Sequence, residues 1–217
     1  MKILMAKKMK IGVTQRVDKV NSYNEVRDTL DQKLIDWVVQ SGFVPVPIPN
    51  TLASVKFPND NQPNIENWLN SIKIDAILLS GGNDLGISKQ RDLTEKYLLS
   101  WADKNKKAAL GICRGMQIMG VYGGGELIPV DGHVGLEHKL QDGCNPSDLF
   151  PEPVNSFHNQ ALKECPDSFE ILAMSEDGSL EAIRHKELPW EAWMWHPERR
   201  TKFLQSDIER FKKLIVS

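Results

Sequence analysis

Apolar positions fall into two alternating rhythms along the first half of the chain. Residues 10–15 and 75–79 are short, nearly continuous apolar runs and predict buried strands, the second running into Ser80-Gly81-Gly82-Asn83-Asp84. Residues 23–40 carry Leu30, Leu34, Ile35, Val38 and Val39 at helical spacing, which predicts a helix stopped by Gly42. Residues 43–48 alternate with prolines and predict a strand near a sheet edge. A short helix is expected over 65–72, a helix with one charged face over 92–104, a strand from Ala108 to Ile112 and a helix over 115–122. Strands alternating with helices at this spacing imply an α/β fold: a doubly wound, mostly parallel sheet covered on both faces.

From Gly123 the texture changes. Gly123-Gly124-Gly125, Asp131-Gly132, Asp142-Gly143 and Asn145-Pro146 punctuate short segments, which predicts a small antiparallel excursion or flap between the two halves. Further strands are expected at 171–173, 180–183 and 192–195, with a turn at Glu176-Asp177-Gly178. Ser206 is placed to cap a final amphipathic helix carrying Ile208, Phe211, Leu214 and Ile215. No repeat or linker is evident, so residues 1–217 read as one domain, with 1–9 a loose N-terminal extension and Met9 an alternative start.

Composition narrows the function. The 29 acidic and 27 basic side chains nearly cancel, which speaks against a nucleic-acid partner. No stretch is apolar for long enough to be a signal peptide or a membrane span, so a cytoplasmic location without membrane association is expected. Three cysteines, at 113, 144 and 165, are widely spaced and match no zinc pattern.

Cys113 stands apart from the other two. The run Leu110-Gly111-Ile112-Cys113-Arg114-Gly115-Met116-Gln117 reads as strand, sharp turn and helix, a nucleophile elbow with a thiol at its tip. Small neighbours tolerate the crowding, and the start of a helix favours thiolate, the reacting species. Taken alone, the motif is equally a buried, inert cysteine. Downstream, in Trp193-Met194-Trp195-His196-Pro197-Glu198, an extended chain would point His196 and Glu198 the same way, roughly 7 Å apart at the backbone. The carboxylate would then orient the imidazole, leaving the other ring nitrogen to move a proton.

Together, Gly81-Gly82-Asn83-Asp84, Arg91-Asp92-x-x-Glu95, Gly111-Ile112-Cys113-Arg114-Gly115-Met116-Gln117, Asn155-Ser156-Phe157-His158-Asn159-Gln160, Asp177-Gly178-Ser179-Leu180-Glu181-Ala182-Ile183 and Trp195-His196-Pro197-Glu198 resemble the class I (triad) glutamine amidotransferase-like proteins, in particular their γ-glutamyl hydrolase branch. The resemblance implies a flavodoxin-like fold and a γ-glutamyl small-molecule substrate. It implies Cys113 as nucleophile, His196 as base then acid, Glu198 as orienter, and backbone N–H groups at Gly82 and Arg114 as an oxyanion hole. Gly81, Gln117, Ser156, Phe157 and His158 are the implied substrate-binding positions. Met194 and Asn159 depart from the family pattern, where Gln and a second His are usual.

The resemblance also bears on reaction and partners. Hydrolysis would pass through a glutamyl thioester with no metal or organic cofactor. Candidate substrates are γ-glutamyl-γ-aminobutyrate and γ-glutamyl-CDP-amidate; Lys89, Arg91, Lys139 and Arg199 read either as contacts for the phosphates of the latter or as solvated surface charge. A glutaminase component feeding ammonia to a separate synthase and a non-catalytic sensory protein are the competing readings; oligomeric state is not readable.

Some side chains keep two readings. Arg114 either supports the thiolate or pairs with the helix carrying Asp92 and Glu95. His158 is a glutamyl contact or a structural histidine. His133 and His138 flank Glu137 in the flap, but no third and fourth metal ligand is evident at suitable spacing. Trp190, Trp193 and Trp195 read as packing, and Cys144 and Cys165 as bystanders.

Overall fold

The computed structural model describes residues 8–56, 64–142, 150 and 153–216. The elements run β1 (Lys10–Thr14), β2 (Arg16–Val20), β3 (Glu25–Thr29), α1 (Gln32–Gln40), β4 (Val44–Ile48), α2 (Asn64–Ile72), β5 (Ala76–Leu79), α3 (Lys89–Lys104), β6 (Ala109–Ile112) and α4 (Arg114–Tyr122). There follow β7 (Leu127–Pro129), β8 (Val134–His138), β9 (Leu140–Asp142), β10 (Val154–Phe157), β11 (Gln160–Leu162), β12 (Phe169–Ser175), β13 (Leu180–His185), β14 (Trp190–Trp193) and α5 (Gln205–Val216).

Eight strands form one sheet in the order β4-β1-β5-β6-β14-β13-β12-β9. The pairings from β4 to β14 are parallel and the remaining three antiparallel. Alternation along each strand sends side chains to two cores. Ala76, Leu78, Leu110, Ile112 and Trp193 pack with Trp37 of α1 and Phe211 of α5, whereas Ile77, Leu79, Ala109 and Ala192 pack with Leu69 of α2, Leu98 of α3 and Met116 of α4. The α/β, doubly wound reading therefore holds. Pro45 and Pro47 lie on the outermost parallel strand, where a missing N–H leaves no ladder bond broken.

The helix expected over 23–40 is corrected. Only Gln32–Gln40 is helical; residues 16–29 form the hairpin β2–β3. All the apolar residues that suggested the longer helix lie between 30 and 39, and Asp31 starts it by accepting the Lys33 N–H at 2.8 Å. The last helix begins at Gln205, so Ser206 is inside it rather than its cap. The flap is built of β8 with β10 and β7 with β11; Asn145, Pro146 and Cys144 lie outside the described residues. Among the described residues no helix is long and apolar enough to cross a membrane.

Candidate active site

Cys113 is the single residue between β6 and α4, at φ 51° and ψ −105°. Such a conformation costs a non-glycine residue about 1–3 kcal/mol, so the surroundings must enforce it. They do so by close approach: a Cβ on Gly111 would stand 2.6 Å from the Gly115 carbonyl carbon, and one on Gly115 would run into the Leu79 carbonyl. The Cys113 N–H donates to the Trp193 carbonyl at 2.7 Å, which ties the elbow to β14 and to the segment that follows it.

That segment carries His196 and Glu198. The extended path expected through 196–198 is corrected: His196 is extended at φ −108° and ψ 94°, but Pro197–Arg199 is a 3-10 turn. Proline suits the first position of such a turn, because its missing N–H has no partner there to lose. The turn, rather than strand alternation, brings Glu198 Oε1 to 2.6 Å from His196 Nδ1. Both side chains are buried. Burial, the largest influence on the imidazole, disfavours its charged form. The Glu198 charge, the hydrogen bond to Cys113 and the bond to Glu198 outweigh it and raise the pKa to about 9. The ring is thus protonated at neutral pH, with Nδ1 on the carboxylate and Nε2 left for the sulfur.

Gly81 has no side chain for a direct reason: a Cβ would meet His196 Cε1 at 2.5 Å. Gly82, at φ 82°, lines one cavity with Cys113, Arg114, Gln117, Phe157, His158, Asn159, His196 and Arg199. The structure therefore brings together nine of the ten implied site positions. Gly81 itself borders the adjoining pocket on the other side of His196. Ser156 is turned away from the cavity: it is fully buried, and its Oγ donates to the His133 carbonyl at 2.6 Å. The Gln117 amide donates to the Gln160 carbonyl at 2.9 Å.

Three contributors escaped sequence reasoning. Asn155 holds the His196 backbone from both sides, accepting its N–H at 2.9 Å and donating to its carbonyl at 2.8 Å; its place in the Asn155-Ser156-Phe157 run was the available signal. Asn83 does the same for Val17 of β2, at 2.7 and 3.0 Å, and so plants the hairpin against the Gly82 turn. Arg16 of that hairpin lies beside Gly82.

Arg114 pairs with Glu95 and Asp92 of α3, as its second reading expected. Glu95 also receives Arg91 Nε at 3.0 Å, and Arg91 donates onward to the carbonyls of Ser80 (2.6 Å), Gly81 (3.2 Å) and Gly82. Burial, the leading cause, lowers the Arg91 pKa against the pull of Glu95. Arg91 is thus engaged in the fold and not free for a phosphate. Met194 points into the core under α4, the three tryptophans are buried packing, and Cys165 packs at that core's edge.

Comparisons with known proteins give the family and the fold. The family model described as glutamine amidotransferase class-I matches residues 20–212. The chain belongs to the class I glutamine amidotransferase family. Among curated relatives, γ-glutamyl-CDP-amidate hydrolase of Campylobacter jejuni is 32% identical over 203 residues, covering 88% of this chain and 90% of that protein. The γ-glutamyl-γ-aminobutyrate hydrolase PuuD of Escherichia coli K12 is 26% identical over 226 residues, covering 87% and 85%. Among solved structures, a candidate GMP synthase component from Thermoplasma acidophilum shares the amidotransferase fold, with TM-score 0.69 and 20% identity over 98% of this chain and 94% of that one.

Proposed function

We propose that this amidotransferase-family chain hydrolyses a γ-glutamyl amide bond through a glutamyl thioester on Cys113. The observation that carries the reading is the buried His196, its Nδ1 2.6 Å from Glu198 Oε1, lining one cavity with Cys113 at a strained strand-to-helix turn. The sulfur attacks the δ-carbonyl, and the backbone N–H groups of Gly82 and Arg114 receive the charge that develops on its oxygen. The C–N bond breaks as the nitrogen takes the His196 proton. Water then adds to the thioester, giving a proton back to His196, and cleavage of the C–S bond releases glutamate and frees the sulfur. Glu198 keeps the ring in one orientation throughout.

We further propose an anionic leaving group. Arg199 lies over the Phe157 ring, 4.6 Å from its centroid, at the cavity wall, and both Arg199 and Arg16 border the neighbouring pocket beside His196. Two guanidinium groups on that side suit a phosphoramidate such as that of γ-glutamyl-CDP-amidate, the substrate named for the Campylobacter relative.

The test offers the purified chain alone γ-glutamyl-CDP-amidate, γ-glutamyl-γ-aminobutyrate and glutamine. Partner-independent turnover of a substituted amide is expected, fastest with the amidate, and Cys113→Ala should reduce it to background. Activity that appears only when a synthase is added would assign the chain to ammonia supply instead.

A further inference from the structure

Behind the wall of the cavity, four side chains from distant parts of the chain converge. His133 precedes β8, His138 ends it, His158 follows β10, and Glu181 lies on β13 of the main sheet. One donor atom from each lies within 4.8 Å of all the others. His158 Nε2 and His133 Nδ1 stand 3.5 and 3.7 Å from Glu181 Oε1, and the His138 ring is 4.3 Å from that of His133, centroid to centroid. The sequence showed only the His133–His138 pair; the third and fourth groups arrive through the fold.

The hydrogen bonding is more informative than the proximity. His133 Nδ1, His138 Nε2, His158 Nε2 and both carboxylate oxygens of Glu181 are buried and make no hydrogen bond. Five orphaned polar atoms facing one another would each cost about 1–3 kcal/mol, and more for the carboxylate, if nothing else bound them. The far sides of two rings are, by contrast, engaged. His133 Nε2 is 2.8 Å from Asp177 Oδ2, and Asp177 is held in turn by Ser175 Oγ at 2.6 Å and the Ser179 N–H at 3.0 Å. His158 Nδ1 is 3.1 Å from the Gln160 carbonyl. A ring that donates outward to a carboxylate or a carbonyl presents a lone pair inward. Carboxylate–histidine and carbonyl–histidine pairs of this kind orient metal-ligating imidazoles.

We propose that His133, His138, His158 and Glu181 form a four-ligand site for a zinc-like divalent cation. Three neutral imidazoles and one carboxylate suit that class, and four protein ligands make a closed, structural site rather than a catalytic one. Donors around tetrahedral zinc lie about 3.3 Å apart, so His133, His158 and Glu181 are already near that spacing and small rotations close the rest. His138 is partly exposed, which gives the ion a way in. The ion would fasten the β8–β10 flap to β13. Since β10 leads into Phe157, whose ring meets His196 at 5.9 Å, and into His158 on the cavity wall, the flap would be held at the working distance from the nucleophile. His158 then acts as a ligand behind the pocket, not as a direct glutamyl contact.

The experiment uses the untagged full-length chain carrying Cys113→Ala, so that the reactive thiol binds nothing. Metal content after zinc reconstitution and dialysis is read by mass spectrometry, and cobalt(II) titration by its visible spectrum. About one zinc per chain and an intense tetrahedral cobalt spectrum are expected. A chelator should lower the melting temperature, and the further changes His138→Ala and Glu181→Gln should each abolish stoichiometric binding. A folded protein that takes up neither metal overturns the proposal, and the cluster is then a proton-filled hydrogen-bond network. Undiminished binding in both variants overturns it equally. The cobalt titration needs no ligand variant, so a variant that fails to fold does not remove the test.

Discussion

At the scale of single residues, the proposed chemistry turns on one imidazole. His196 has a folded pKa of about 9 against an ordinary 6.5, because the Glu198 charge and the bonds to Cys113 and Glu198 overcome the opposing effect of burial. A raised value makes the charged ring a source of stability that is complete below pH 6.5 and lost as pH rises through about 9. On the proposed mechanism the rate of thioester formation should fall over the same upper range, since the leaving nitrogen would need that proton. Glu198→Gln removes the foremost favourable influence and leaves burial to dominate. The descending limb of kcat/KM against pH should move to lower pH, with the maximum down by about a hundredfold or more. A limb unmoved in the variant would mean that another group controls it.

At the scale of elements, the site is made by joints between them. The chain Arg114–Glu95–Arg91 links the start of α4 to the Ser80–Gly81–Gly82 carbonyls through α3, entirely within the protein. Glu95→Gln takes from the buried Arg91 its carboxylate partner and leaves Arg114 with Asp92 alone, and removing one member of a buried pair costs about 3–5 kcal/mol. Thermal and urea unfolding should both register that loss, and activity should fall because the two proposed oxyanion donors, at Gly82 and Arg114, lose their common brace. A stability change below about 1 kcal/mol would show the network to be dispensable. The motif Arg91-Asp92-x-x-Glu95 was visible in the sequence, and its pairing with Arg114 was foreseeable, since helical spacing and charge are local signals. The β2–β3 hairpin was not. Its register depends on Asn83, far along the chain, and on no strong alternation of its own. Likewise the contact between His196 and Glu198 was legible, but the 3-10 turn that makes it was not, because proline permits either path.

At the scale of the whole molecule, the parallel half of the sheet was written in compact apolar runs. The antiparallel half, interrupted by bulges between β12 and β13, was legible in its turns and in part of its strands: the expected 171–173 and 180–183 fall inside β12 and β13, which run on to Phe169–Ser175 and Leu180–His185. One buried charge bears on global stability. Asp207, near the start of α5, is pushed up to about 7 from 3.8, burial outweighing Arg200 and Arg210. A carboxyl raised in this way keeps its proton in the fold, so stability should decline as pH climbs from 3.8 through 7. Asp207→Asn should flatten that decline, matching the parent at pH 4 and exceeding it at pH 8 by on the order of a few kcal/mol in urea unfolding. Equal slopes for the two proteins would refute it.

The bond from the Cys113 N–H to the Trp193 carbonyl carries a consequence for how the protein comes into being. Everything around the thiol except β14 and the turn beyond it precedes residue 190 in the chain. A chain in which β14 has not yet paired with β6 therefore lacks the bond that ties down the Cys113 turn, and lacks His196 beside it. The strand that pairs with β6 is also the one that leads to His196, so closing this part of the sheet and delivering the proposed proton carrier are one event.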